Sequence, residues 1–138
     1  MIELLVVIGI IGILTGMVTV NLQDARQRAR DAQRKADLRQ IQNALELYRN
    51  DQNPAAYPTT LTWGDDITDG GYMKELPADP LAVQTSWPAY TYNRDLDTLE
   101  YTLIACLENV ADIDRDNVNN DAICDTDDKQ FSHTLTEP

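Results

Sequence analysis

The chain has 138 residues and a mass of 15.5 kDa, enough for one compact domain and too short for two domains that enclose a substrate cleft. Its 23 acidic and 11 basic side chains give a formal net charge of -12, which argues against nucleic acid as a main partner. Hydrophobic residues make up 43% although mean hydropathy is -0.40, so the apolar content is concentrated, and it lies at the N-terminus. Charge divides the chain accordingly. Residues 1–21 carry only Glu3, residues 22–50 carry seven basic and four acidic groups, and residues 51–138 carry four basic and eighteen acidic ones.

Residues 4–23 contain no charged side chain, and 4–20 are almost wholly aliphatic. At about 1.5 Å per residue such a helix crosses most of a roughly 30 Å hydrocarbon core, so it is a membrane helix candidate. A secretory signal fits less well, because signals carry a basic leading region and the early charge here is acidic. Glu3 at the edge of this run costs a few kcal/mol if carried into lipid unpaired. It either reaches the headgroups and caps the helix dipole, or pairs with a cation from another chain. Gly12 and Gly16 form a small-xxx-small pair suited to tight helix contact.

The run Met1-Ile2-Glu3-Leu4-Leu5-Val6-Val7-Ile8-Gly9-Ile10-Ile11-Gly12-Ile13-Leu14 resembles the start of mature type IV pilins and type II secretion pseudopilins. That resemblance implies a glutamate, here Glu3, that neutralises the N-terminal amine of a neighbouring subunit in a filament core. Family members carry four residues before this glutamate and this chain has two. The expected mature polypeptide therefore begins two residues before Met1, with a methylated aromatic residue and a leader ahead of it. Many members also have a proline where Val20 stands, so the glycines are left as the local weak points of the helix.

From residue 24 to 50 there is no Gly or Pro, and Ala, Arg, Gln, Leu and Asp dominate, which predicts one continuous helix of about fifty residues, roughly 75 Å long. Ala25, Ala29, Ala32 and Ala36 make a small-residue stripe, and Leu38, Ile41, Leu45 and Tyr48 make a large one that can cover a sheet. A monomer of this size cannot bury such a rod, so its first half needs lipid or other copies. Asp24 with Arg28, Asp31 with Lys35, and Arg34 with Asp37 read as surface pairs worth a few tenths of a kcal/mol each. The basic residues after the apolar run favour a cytoplasmic remainder by themselves; in the resembling family a basic leader reverses this and the globular part is exported.

Residues 54–88 are punctuated by proline and glycine and read as a connecting loop with short ordered pieces. Tyr57-Pro58, Gly71-Tyr72-Met73 and Leu76-Pro77-Ala78-Asp79-Pro80-Leu81 resemble the segment between helix and sheet in major pseudopilins. Tyr57, Trp63, Tyr72 and Trp87 read as packing residues. Residues 89–93 and 99–106 alternate as strands around a turn at 94–98, an antiparallel hairpin, with a third strand at 130–135. The sheet is expected to pack on Leu38, Ile41, Leu45 and Tyr48.

Asp112, Asp114 and Asp116 match the first half of an EF-hand loop, where alternate oxygens can turn onto a hard cation. The second half departs from that pattern, with Asn117 at the turn glycine and Ile123 at the bidentate glutamate. Major pseudopilins have a calcium-binding loop in this region. The resemblance therefore implies a structural Ca2+ held by Asp112, Asp114 and Asp116, with Val118 and Asp121 completing the loop. Cys106 and Cys124 in an exported chain suggest a disulfide that staples this loop. His133, the lone histidine, reads as a surface residue, and no catalytic motif is present.

The resulting expectation is an α+β, pilin-like fold. Residues 1–23 form the hydrophobic membrane and filament-core helix, 24–51 its amphipathic half, and 52–138 a globular head. The expected function is that of a structural subunit, not an enzyme. It polymerises with copies of itself through Glu3, Gly12 and Gly16 into an extracellular type IV pilus-like filament. The inner membrane lipid holds it before assembly, and pilus or secretion machinery is its other partner; nucleic acid is not a primary one. The alternatives are the major pseudopilin of a type II secretion system and a membrane-anchored calcium-dependent binding module that never polymerises.

Overall fold

The computed structural model describes residues 2–82, 87–95, 100–125 and 130–137, with the side chains of residues 17–21 outside that description. Helix α1 (Ile2–Asp51) runs unbroken for 50 residues. It is followed by α2 (Trp63–Asp69), β1 (Thr91–Arg94), β2 (Tyr101–Leu107) and β3 (Phe131–Thr136). The strands form one antiparallel sheet in the order β1-β2-β3. This is the expected α+β arrangement of a long N-terminal helix on a small antiparallel sheet, with the third strand one residue later than its predicted span.

The large-residue stripe of α1 makes the core. Leu38, Ile41 and Leu45 are fully buried and Ala44 nearly so, against Tyr101, Leu103 and Ala105 of β2. The central strand is buried on its other face as well, where Ile104 and Cys106 meet Cys124 and the half-buried Trp87 and Ile123. That is why the alternation that announces β2 gives way to a continuous apolar run over residues 103–107. Tyr57 meets Tyr101 edge-on at 4.6 Å, and Trp63 stacks on Tyr92 at 5.2 Å, so the aromatic residues of the long connection do pack.

Helix α2 was not foreseen within the proline- and glycine-rich connection. It forms because Thr62 donates its hydroxyl to Asp66 at 2.6 Å, Asp65 and Asp66 favour the helix N-terminus, and Ile67 is driven into the core. Gly71 then turns the chain with φ 78°, in the left-handed region. Tyr72 thereby donates its backbone N–H to Ile67 and lays its ring edge-on to Tyr48 at 5.6 Å.

Among the described residues no helix is long and apolar enough to cross a membrane. The segment expected to do so, residues 4–23, includes the five undescribed side chains, and the described stretch that precedes them is shorter than the roughly 20 residues a span needs. Val20, most of the hairpin turn expected at 94–98, and the carboxylates Asp127 and Asp128 also lie outside the described residues.

Cys106 and Cys124 are joined, 18 residues apart in sequence, and both are buried. A cross-link of this loop length contributes about 3 kcal/mol by restricting the unfolded chain. Reduction, or Cys106→Ser with Cys124→Ser, should lower the unfolding free energy by about that amount, read as a lower denaturant midpoint; an unchanged midpoint means the loop is held by its other contacts alone.

Candidate functional site: an apolar helix clamped to an acidic head

The ten aliphatic side chains between Ile2 and Leu14 are all more than half exposed. Covering what remains exposed would stabilise the chain by about 10 kcal/mol, at about 1 kcal/mol for half of each side chain. An apolar patch of that extent calls for lipid or protein. Nothing lies within 4 Å of the added carbon at Gly9, Gly12 or Gly16, so these glycines are open toward whatever covers the helix. Thr15 donates its hydroxyl back to the Ile11 carbonyl at 2.7 Å, so this polar group is satisfied inside the apolar surface. Glu3 sits in the first turn, where the helix dipole favours an acid. Ala25, Ala29, Ala32 and Ala36 continue the uncovered surface along α1.

The second half of α1 is fixed to the head by buried charge. Arg34 is fully buried, and all three guanidinium nitrogens are engaged. Nε and Nη2 donate to the two carboxylate oxygens of Asp79 at 2.7 and 3.1 Å, and Nη1 donates to Asp31 at 2.7 Å and Glu108 at 2.8 Å. The Trp87 ring lies 4.4 Å from the guanidinium carbon. Arg30 donates to the same Glu108 carboxylate from one turn away, at 2.6 Å through Nε. Asp31 accepts the backbone N–H groups of Glu108 and Asn109, both at 2.9 Å, where the chain leaves β2. Three segments far apart in sequence are therefore held by one cluster of two cations and three carboxylates.

This corrects the expected surface pairing. Arg34 turns to Asp31, Asp79 and Glu108 rather than Asp37, Asp37 accepts the Tyr90 hydroxyl at 2.7 Å, and Lys35 leaves Asp31 for the acidic loop. The reason is that bidentate, buried partners outcompete solvent-exposed pairs along a helix. Composition and motif reading gave Asp79 and Glu108 no charge-pairing role. The signal for Asp31 and Arg34 was their spacing: residues 31, 34, 38, 41 and 45 lie on one helical face.

Burial by itself would lower the Arg34 pKa, but its bonds to Asp79 and Glu108 outweigh this and raise it. Burial would raise the Glu108 carboxyl, and the bonds from Arg30 and Arg34 instead hold it below the usual carboxylate range. A carboxylate with a depressed folded pKa contributes stability above its unfolded pKa and loses it as pH falls through the folded one. Stability should therefore drop on acidification below about pH 4. Glu108→Gln should flatten that part of a pH series of denaturation midpoints, and an unaltered pH profile would show that Glu108 is not the group responsible.

Of the expected calcium residues, Asp112 and Asp114 converge, on an ammonium, and the others turn elsewhere. Lys35 Nζ donates to both oxygens of Asp112 at 3.0 Å and to Asp114 at 2.9 Å. Asp116 faces the opposite way, accepting the Thr134 N–H at 3.1 Å and the Thr134 hydroxyl at 2.7 Å. Asp121 accepts the Asn119 side-chain amide at 2.7 Å, and Val118 is exposed. Among the described residues no group of three or more His, Cys, Asp or Glu side chains is placed to hold a metal. A site for Ca2+ needs six to eight converging oxygens, and the described side chains of this loop, as they are paired here, do not present that set. His133, expected at the surface, is instead mostly buried with Nδ1 2.6 Å from the Asp114 carbonyl, because the acidic loop folds over β3.

No family profile matches the chain, and no solved structure matches it significantly. Among curated proteins it is similar to the type II secretion system core protein G of several bacteria. It is 36% identical to that of Aeromonas hydrophila over 93 residues, covering 58% of this chain and 64% of the relative. With that of Escherichia coli (strain K12) it shares 32% over 93 residues, covering 58% and 63%. With that of Pseudomonas aeruginosa it shares 29% over 122 residues, covering 72% and 83%. The chain thus spans a little under two thirds of the first two relatives. Fold and sequence thus point the same way: a long N-terminal helix on a small antiparallel sheet, and similarity to type II secretion system core proteins G.

Proposed function

We propose that this chain is the major structural subunit of a secretion-type pseudopilus. A membrane holds it by the apolar half of α1 before assembly, and copies then join through that half into a filament built by the secretion machinery. The observation that carries this reading is an exposed apolar helix continuous with a helix locked into the head by a buried ion cluster. Such a unit can hand its N-terminal half from lipid to neighbouring copies without disturbing the head. The reading is structural and not enzymatic, which the names of the relatives support. The surface pilus expected from sequence gives way here to the secretion filament, because the relatives carry the secretion name.

Deleting the gene and measuring export separates these readings. Exported enzymes should accumulate inside the cell envelope, and complementation should restore their release. Unimpaired export together with long homopolymers in sheared surface material would assign the chain to a pilus instead. Failure of cross-linking to give any ladder of copies in the complemented strain would leave only a monomeric anchor.

A further inference from the structure

We infer that Lys35 is the resident cation of the acidic loop: its ammonium, rather than a divalent metal, ties Asp112 and Asp114 to α1. The head therefore orders this loop without calcium. Two carboxylates that would repel each other in a short segment share one ammonium, with three contacts at 2.9 to 3.0 Å. Lys35 comes from the rigid middle of α1, one residue beyond the buried Arg34, so its position is set by the ion cluster and not by the loop. Asp112 also accepts the Asp114 backbone N–H at 2.9 Å, which bends the loop around the lysine.

Other oxygens of the loop that a metal would recruit are committed elsewhere. Both Asp116 carboxylate oxygens bind Thr134, the Asn119 side-chain amide oxygen accepts the Ser132 N–H at 2.6 Å, and the Asp114 backbone carbonyl meets His133. Recruiting them to a metal would open the contact between the loop and β3. The ligand spacing that suggests calcium in the sequence therefore serves two other purposes, one on each side of the loop.

The test uses the full chain in detergent, with thermal melting and aspartate-directed proteolysis within residues 112–121, in calcium and in chelator. The wild type should melt at one temperature and be cleaved at one rate in both conditions. Lys35→Met keeps the aliphatic stem and removes the charge; it should speed cleavage in the loop several-fold. Asp112→Asn should do the same, and the double variant should be no worse than either alone, because the two side chains form one interaction. A calcium-dependent rise in wild-type melting temperature would overturn the inference, since a cation that binds only the folded loop must stabilise it. So would unchanged cleavage in Lys35→Met, or independent effects of the two substitutions.

Discussion

Replacing Arg34 with methionine should destabilise the head by about 3–5 kcal/mol, the cost of removing one partner from a buried ion pair. Methionine fills much of the same volume and keeps the contact with Trp87, so the loss isolates charge and hydrogen bonding. Among the described residues, Asp79, whose side chain is fully buried, would keep only the Leu81 N–H at 2.8 Å of its present side-chain partners, and Asp31 would still cap the end of β2 through two backbone bonds. Adding Asp79→Asn to Arg34→Met should restore part of the loss, because replacing a whole buried pair is far less costly than breaking it. Denaturant midpoints of the four proteins decide this. A single-variant loss under about 1 kcal/mol, the range of surface ion pairs, would mean that the cluster is solvated in solution.

Glu3→Ala should leave the head as stable as the wild type and lower filament yield more than about a hundredfold. Glu3 is exposed in the first turn of α1, remote from every core contact, so the fold does not depend on it. In an assembly it would be surrounded by the aliphatic side chains of neighbouring helices, where a carboxylate requires a cation from another copy. Removing one member of such a pair costs about 3–5 kcal/mol, and each 1.4 kcal/mol is about tenfold in affinity. Sedimentation of sheared or detergent-released polymers measures the effect. Normal polymer yield would show that Glu3 merely caps its own helix or reaches the headgroups.

The parts of the fold that were legible in the sequence are those governed by period. The recurrence of Leu38, Ile41 and Leu45 every three or four residues announces a helix face, and the alternation around Tyr101 and Leu103 announces a strand that covers it. Helix α2 escaped because seven residues held by Thr62 and Ile67 leave too short a pattern to separate from turn chemistry. The ion cluster escaped for a different reason. Arg34 finds Asp79 and Glu108, 45 and 74 residues away, and local charge spacing favours nearer partners that the folded chain does not use. The acidic loop shows the converse failure: its spacing suits a metal, but the same carboxylates also suit an ammonium and backbone donors, and the folded neighbours decide between them.

The loop that lies on β3 has a consequence for crowding. In the proposed polymer the heads would stand side by side at high local concentration, where an open sheet edge recruits strands from its neighbours. Along β3, the Ser132 N–H and carbonyl and the Thr134 N–H are already taken by the Asn119 side chain and by the main chain and carboxylate of Asp116. At the opposite margin, the Arg94 N–H is taken by the Thr60 hydroxyl at 2.9 Å. These contacts, most of them from side chains, thus complete the ladder at these positions where another molecule's strand would otherwise add, so heads crowded together as proposed would touch there without joining their sheets, and growth would be left to the helices.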